Sequence, residues 1–375
     1  MGMAGDGKTV AVGMSGGVDS SVAALALLQQ GYRVVGVTCR FCDDGKTAAA
    51  ERDAQAVCER LGIAHAVFDA TKQFERVVVQ PFVEGYAAGL TPSPCVGCNA
   101  LCKIPSLCEA ADELGCEFVA TGHYARIAQV PLASGGPAAG DGEGRPDASA
   151  GFRYAVRTAL DGSKDQSYML SMLAQAQLAR LILPLGGMTK PAVRQAAAQA
   201  GLPVAQKEES QDICFLGDAC DYRAFLAQRG VADRPGPIVL ADGTPVGSHD
   251  GLHGYTVGQR KGLGVAYREP LYVVAKEAEA NRLVVGTADQ ALIGQVRTGP
   301  VSWQAVEGLS EPIRAMVKLR YRSRAVPCVV EPATGGSATV RLNEPQPTTA
   351  PGQYAVFYVG DTVIGAAVIG KVVQA

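Results

Sequence analysis

Residues 9–13 form a short apolar run that stops at Ser15, Gly16 and Gly17. An apolar run bounded by turn residues reads as a buried strand. Residues 22–28 follow with helical spacing, and Gly31 stands just past their end, where a helix stop is expected. The alternation continues with a strand at 33–37 and an Ala-rich helix at 47–61 that stops at Gly62. Further strands are expected at 65–69 and 118–121. Strand alternating with helix implies α/β architecture with a doubly wound parallel sheet. Residues 152–158 resume a strand. Residues 189–200 read as a helix, with Pro191 in its first turn and Gly201 after it.

Beyond about residue 203 the pattern changes. Short β-rich runs at 237–240, 271–274, 283–285, 316–321, 338–342, 353–359 and 363–369 are separated by Gly and Pro, and helical periodicity is absent. These predict a small central β-rich module followed by an antiparallel C-terminal β-barrel or sandwich. The expected divisions are residues 1–203, 204–272 and 273–375. Residues 131–151, almost all small or turn-forming, read as a flexible surface insertion.

A length of 375 residues agrees with two or three domains. The net charge of −2 gives no bulk signal for nucleic acid, so any such binding must use local basic patches. The first eight residues lack the apolar core of a secretory signal, and no run is long enough to span a bilayer. The expectation is a cytoplasmic protein with no membrane partner. Eleven cysteines in such a chain imply reduced thiols rather than a disulfide scaffold. Cys58, Cys108 and Cys116 lie in helix-like stretches and read as core residues.

The first chemical signal is Ser15-Gly16-Gly17-Val18-Asp19-Ser20, between a strand and a helix. Backbone N–H groups of such a turn converge with the helix N-terminus on an anion. The two glycines let phosphate oxygens approach, and the Ser15 and Ser20 hydroxyls can donate to them. Asp19 cannot bind phosphate directly and is the candidate holder of Mg²⁺. The motif lacks the lysine of a Walker-A loop, which disfavours γ-phosphate hydrolysis. It resembles the pyrophosphatase loop of enzymes that adenylate a carbonyl oxygen.

Several further blocks resemble the tRNA-specific 2-thiouridylases. They are Thr91-Pro92-Ser93-Pro94-Cys95-Val96-Gly97-Cys98-Asn99, Thr121-Gly122-His123-Tyr124-Ala125-Arg126, Lys164-Asp165-Gln166-Ser167-Tyr168 and Glu209-Ser210-Gln211-Asp212-Ile213-Cys214-Phe215. A glycine-rich block from Gly254 to Gly262 and Pro351-Gly352-Gln353 extend the match in the family's order. The resemblance implies an N-type ATP pyrophosphatase domain, a central tRNA-binding module and a C-terminal β-barrel. It implies ATP-dependent 2-thiolation of the wobble uridine of tRNA through an adenylated uridine and a protein persulfide, with release of AMP and pyrophosphate.

Cofactors implied are ATP and Mg²⁺, and partners are tRNA and a sulfur-donor protein or cysteine desulfurase relay. The ATP-contacting residues so implied are Gly13, Met14, Ser15, Gly16, Gly17, Val18, Asp19, Ser20, Cys39 and Gly122. Those for tRNA are Ser93, Pro94, Cys95, His123, Lys164, Asp165, Gln166, Arg320, Tyr321 and Gln353. Cys214 would carry the persulfide and Cys98 would resolve it. Both read as loop residues.

Two features depart from or add to that pattern. Cys95 stands where better-known members carry an aspartate, which makes a third thiol available. Cys95, Cys98 and Cys214 could instead hold a [4Fe–4S] cluster, since thiolates are preferred cluster ligands. The Cys39–Cys42 and Cys95–Cys98 pairs lie farther apart than a zinc ribbon's. Lys318, Arg320, Arg322 and Arg324 would share one face of a strand, where a phosphate backbone is their natural partner. A charged edge that resists pairing is the rival explanation. Two other functions remain open: an adenylating sulfur-transfer enzyme with another substrate, or a tRNA-binding protein without catalysis.

Overall fold

The apolar run at the start of the chain is strand β1 (Thr9–Gly13), and Val10, Ala11 and Val12 are fully buried in it. The structure, a computed structural model, describes residues 6–132, 151–208, 213–216 and 221–375. Most of the predicted 131–151 insertion and the quoted residues 209–212 lie outside these. Helix α1 (Val18–Gln29) follows β1 and begins before residue 22, because Gly17 already serves as its N-cap. Next come β2 (Arg33–Arg40), α2 (Gly45–Leu61) and β3 (Ala64–Asp69). Asp44 caps α2 by accepting from Thr47 N–H at 2.7 Å. Such a cap satisfies one of the N–H groups that a helix start leaves unpaired.

A run of short helices then crosses one face of the sheet. These are α3 (Thr71–Phe74), α4 (Gln80–Ala87), α5 (Pro94–Cys98) and α6 (Ile104–Glu113). Two π-helical turns, Glu75–Val79 and Asn99–Lys103, join α3 to α4 and α5 to α6. Strand β4 (Phe118–Ala120) returns to the sheet, and β5 (Ala125–Pro131) and β6 (Phe152–Thr158) form an antiparallel hairpin. Then come α7 (Gln175–Arg180), β7 (Leu181–Ile182) and α8 (Lys190–Gln199).

The sheet order is β3-β2-β1-β4-β7, with every pair parallel. Side chains on β1 alternate as the pleat requires. Val10 and Val12 pack with α1, α2 and α8, while Ala11 packs with α6 on the opposite face. The strand order reverses between β1 and β4, and such a switch point opens a crevice at the strands' C-terminal ends.

Beyond α9 (Tyr222–Gln228) the chain is β-rich, as expected. Strands β8 (Gly236–Leu240), β9 (Pro245–His249), β10 (Tyr272–Glu277) and β11 (Arg282–Gly286) form a sheet ordered β10-β11-β8-β9. Then follow β12 (Leu292–Pro300), β13 (Ser302–Trp303), β14 (Ile313–Lys318), β15 (Val326–Pro332), β16 (Ser337–Pro347), β17 (Tyr354–Val359) and β18 (Thr362–Gln374). The order β12-β16-β15-β14-β17-β18 closes into a barrel through β12–β18 pairing. This barrel is not a detached appendage. Val356, Tyr358, Val363 and Ala366 share a core with α6 and α7 of the parallel-sheet domain. Among the described residues, no helix is long and apolar enough to cross a membrane.

The expected basic strand is a correction. β14 ends at Lys318, and residues 319–323 form a turn. Ser323 closes that turn: its N–H donates to Arg320 O at 3.1 Å and its hydroxyl accepts from Arg320 N–H at 3.3 Å. The four cations therefore do not share a strand face. Lys318 pairs with Asp165 at 3.3 Å. Arg320 donates to Thr348 O at 2.6 Å and Val257 O at 3.1 Å, tying the barrel to the central module. Arg322 and Arg324 are exposed.

Candidate active site

The Ser-Gly-Gly turn sits at the switch point, at the end of β1. Its shape comes from its own hydroxyls. Ser20 Oγ accepts from Ser15 N–H at 3.2 Å, lies 3.2 Å from Ser15 Oγ, and donates to Gly17 O at 3.1 Å. Met14 N–H donates to Val37 O at 2.7 Å, which fixes the entry to the turn against β2. Two glycines are sterically required. Gly16 has φ +66°, and a Cβ there would lie 2.5 Å from Ala50 O. A Cβ on Gly122, just after β4, would lie 2.7 Å from both Asp19 C and Ser20 N. The blocks after β1 and β4 are thus brought together. Gly13 abuts the Leu107 side chain, and Val18 is buried under the turn.

Asp19 has partners that the motif alone does not reveal. Lys190, at the start of α8, donates to both of its carboxylate oxygens, at 2.7 and 2.9 Å. Tyr124 O–H donates to Asp19 Oδ1 at 2.7 Å. The Lys190 side chain is 9% exposed and that of Asp19 31%. A lysine therefore does stand at this loop, supplied from 171 residues away. A second lysine, Lys207, donates to Gly16 O at 2.9 Å.

Gln166, expected at tRNA, holds Tyr124 from both sides. It accepts from Tyr124 N–H at 2.9 Å through Oε1, and its own N–H donates to Tyr124 O at 2.8 Å. Asp165 is buried beneath it and accepts from Ala159 N–H, Ser167 N–H, Ser167 Oγ and Lys318. Lys164 N–H donates to Asp161 O at 3.0 Å. Tyr321 packs on Tyr168 with ring centroids 5.9 Å apart.

The thiols form a second group. Cys95 and Cys214 are exposed, Cys98 is buried, and Cys39 and Cys42 are half-buried. Cys98 is not in a loop, contrary to expectation. It ends the one-turn helix α5, which Pro94 starts after Ser93, and the π turn Asn99–Lys103 continues from it. It shares a buried cluster with Cys102, and that neighbouring thiol together with burial raises its pKa. Although Cys214 as a residue is exposed, its thiol is largely desolvated, and this, with the nearby thiols of Cys98 and Cys95 adding to it, pushes it up to about 11. Burial pushes Cys42 up to about 12, with Cys214 and Cys98 adding to the effect. Cys42 and Cys98 lie in one apolar cluster with Ile213 and Phe215, the residues on either side of Cys214.

The cation facing them is Lys103, which sequence reasoning missed. It opposes the rise at Cys39, Cys95, Cys98 and Cys214 alike. It also acts on His123, which burial pushes down to about 3, so that imidazole is neutral at physiological pH. His123 Nδ1 lies 2.8 Å from Thr121 Oγ1. Because His123 adjoins Gly122, and Gly122 touches Asp19, the thiol group and the phosphate turn border one site. Among the described residues, no three His, Cys, Asp or Glu side chains converge as a metal-ligand set.

The raised thiol has a measurable consequence. With a pKa near 11, about one Cys214 in 10⁴ is thiolate at pH 7. Alkylation of Cys214 by iodoacetamide in the free protein, read by peptide mass spectrometry, is expected to rise about tenfold per pH unit from 7 to 10. A plateau below pH 9 would show a thiol already activated without substrate.

Three family models match the chain in succession: the tRNA methyl transferase HUP domain over residues 8–218, the tRNA methyl transferase PRC-barrel domain over 223–287, and the aminomethyltransferase beta-barrel domain over 294–369. The chain is 42% identical to a tRNA-specific 2-thiouridylase MnmA of Geobacter metallireducens, covering 96% of this chain and 95% of the relative. It is 44% identical to the protein of that name from a Picosynechococcus species, covering 96% and 98%. A likeness also exists to the U34-tRNA thiolase NcsA of Methanococcus maripaludis, solved with its [4Fe-4S] cluster: 17% identity, 60% of this chain, 65% of that chain, TM-score 0.35. Matched along nearly its whole length by full-length relatives above two-fifths identity, the chain belongs to the tRNA-specific 2-thiouridylase family.

Proposed function

We propose that this enzyme catalyses ATP-dependent 2-thiolation of the wobble uridine of tRNA. The observation that carries the reading is the meeting of the Ser15–Ser20 phosphate turn with Cys95, Cys98 and Cys214 around Lys103 and His123. The α1 N-terminus and the Ser15 and Ser20 hydroxyls receive the triphosphate. Gly13, Met14, Gly16, Gly17, Val18, Cys39 and Gly122 complete the nucleotide pocket. Uridine O2 attacks the α-phosphorus of ATP, and pyrophosphate leaves. Lys190 turns from Asp19 to the incoming phosphates, and Asp19 would then hold Mg²⁺, whose charge offsets that of the triphosphate.

Sulfur arrives as a persulfide on Cys214, loaded by a sulfur-donor protein. The outer sulfur attacks C2 of the adenylated uridine, and AMP leaves with the bonding pair. Cys98 thiolate then attacks the Cys214 sulfur. The S–S bond to the base breaks, leaving its electron pair on the 2-thiouridine, and a Cys98–Cys214 disulfide forms. An external thiol reductant returns two electrons to that disulfide. Ser93, Pro94, Cys95, His123, Lys164, Tyr321 and the exposed Arg322 face the tRNA in this reading. Asp165, Gln166, Arg320 and Gln353 support those surfaces from behind.

The test is mass spectrometry of the wobble nucleoside after incubation with tRNA, ATP and a persulfide donor. The expected product is 2-thiouridine, with tRNA-dependent ATP–pyrophosphate exchange. Exchange that ignores tRNA would point to another substrate, and no exchange at all would point to a binding protein.

A further inference from the structure

All three structural units meet at one dipeptide, Leu90-Thr91, four residues before Cys95. From β10 of the central module, Lys276 Nζ donates to Leu90 O at 3.1 Å and reaches Thr91 Oγ1 at 3.4 Å. It also donates to Tyr255 O at 3.0 Å, and its ammonium lies 5.9 Å from the Tyr86 ring centroid. From the barrel side, Gln353 Nε2 donates to Thr91 O at 2.7 Å, and Thr91 N–H donates to Pro351 O at 2.9 Å. Leu90 and Thr91 thus give both carbonyls to side chains from other units. Immediately downstream, Pro92 packs against Gly85 of α4, and Pro94 starts α5. The hydroxyl of Tyr354 from β17 stands 3.3 Å from where a Cβ on Gly97 would be, between Cys95 and Cys98.

We infer that Lys276 is a positioning residue for sulfur transfer, which together with Gln353 fixes where the Cys95–Cys98 helix begins. It does not touch the reacting atoms. Its effect passes through the Leu90-Thr91 backbone into the first turn of the continuous helical run 94–113. The leading N–H groups of a helix have no partners within it, so the entry of that first turn is set by the residues that precede it. A lysine is an expensive choice for a merely structural contact here. Burial lowers its pKa to about 8, and no ion pair to it is found among the described residues; its neighbours are the Tyr86 ring, the Thr91 hydroxyl and the backbone carbonyls of Leu90 and Tyr255. Three donors on one flexible stem can hold Leu90, Thr91 and Tyr255 together, which an apolar side chain cannot do. The role of Gln353 follows from the same geometry.

The inference rests on the proposed thiolation, and the experiment separates the two. Lys276→Met keeps the stem and removes the donors. In the full-length protein it is expected to leave tRNA-dependent ATP–pyrophosphate exchange within about twofold while lowering kcat for thiouridine formation at least about tenfold, because small misplacements of reacting groups cost rate steeply. The KM for tRNA stays within about threefold, and Lys276→Arg recovers part of the rate. Independently of any activity, alkylation of buried Cys98 by iodoacetamide is expected to speed up in Lys276→Met. Should that variant fail to fold, Gln353→Met tests the geometry alone from the barrel side: Cys98 alkylation is expected to speed up, and unchanged Cys98 protection would overturn the inference. Exchange and thiolation falling together would mark a structural residue and overturn the inference. Unchanged thiolation and unchanged Cys98 protection would overturn it equally. A wild-type protein that makes no thiouridine would sink the function instead, and the Cys98 protection would still test the clamp.

Discussion

Cys214→Ser is expected to reduce thiouridine formation by about three orders of magnitude or more, while tRNA-dependent ATP–pyrophosphate exchange persists. Serine is close in size to cysteine but cannot carry a transferable sulfane sulfur, so the loss falls on sulfur delivery alone. The local fold has its own anchor. The Phe215 ring beside Cys214 packs against Phe82, Phe225 and Phe74 at 5.1, 5.4 and 5.8 Å. Cys98→Ser is expected to fail differently. Without a resolving thiol, the sulfur bridge between Cys214 and the base cannot be cleaved internally. A covalent protein–tRNA adduct then accumulates, visible as a gel shift and released by dithiothreitol. An adduct in Cys214→Ser rather than Cys98→Ser would reverse the two roles, and normal turnover in Cys214→Ser would remove Cys214 from the reaction.

The legible parts of this molecule were those whose signal is local. The apolar run of β1, the glycines after it and the spacing of α2 each carry their structure within a few residues. Cys98 falls in a helical run, 94–113, whose spacing a π turn interrupts right after residue 98, so the periodicity of a regular helix is lost there; only Pro94 marks its start. The charged stripe 318–324 alternates as a strand would, but the Ser323 hydrogen bonds turn the chain instead. Lys190 carries no local signal, since it sits in a helix's first turn, where a cation is mildly unfavourable. Its use appears only when α8 packs beside α1 and brings it to Asp19. Lys276 and Gln353 are illegible for the same reason: their partners are 186 and 262 residues away in the chain.

Asp19→Ala is expected to lower ATP–pyrophosphate exchange by about 10²–10³-fold, the scale for losing a charge-handling group at a developing anion. It should also cost stability, since it removes two hydrogen bonds from the buried Lys190 ammonium. Removing one partner of a buried pair costs several kcal/mol, but Asp19 is 31% exposed, so about 1–2 kcal/mol is a fair scale after screening. Lys190→Met makes the opposite change. Asp19 keeps the Tyr124 hydroxyl and solvent contact, so stability changes little, yet exchange falls because the departing pyrophosphate loses the lysine charge that would stabilise it. The double variant decides between a structural and a functional pair. A pair kept only for stability would be dispensable once both charges are gone, and activity would return with the fold. A pair kept for nucleotide chemistry leaves the double variant near wild-type stability and still deficient in exchange. The expected result is the second, with non-additive stability effects and no recovery of exchange. Full exchange in Lys190→Met would reduce that lysine to a structural counter-ion, and full exchange in Asp19→Ala would move the cation site elsewhere on the turn.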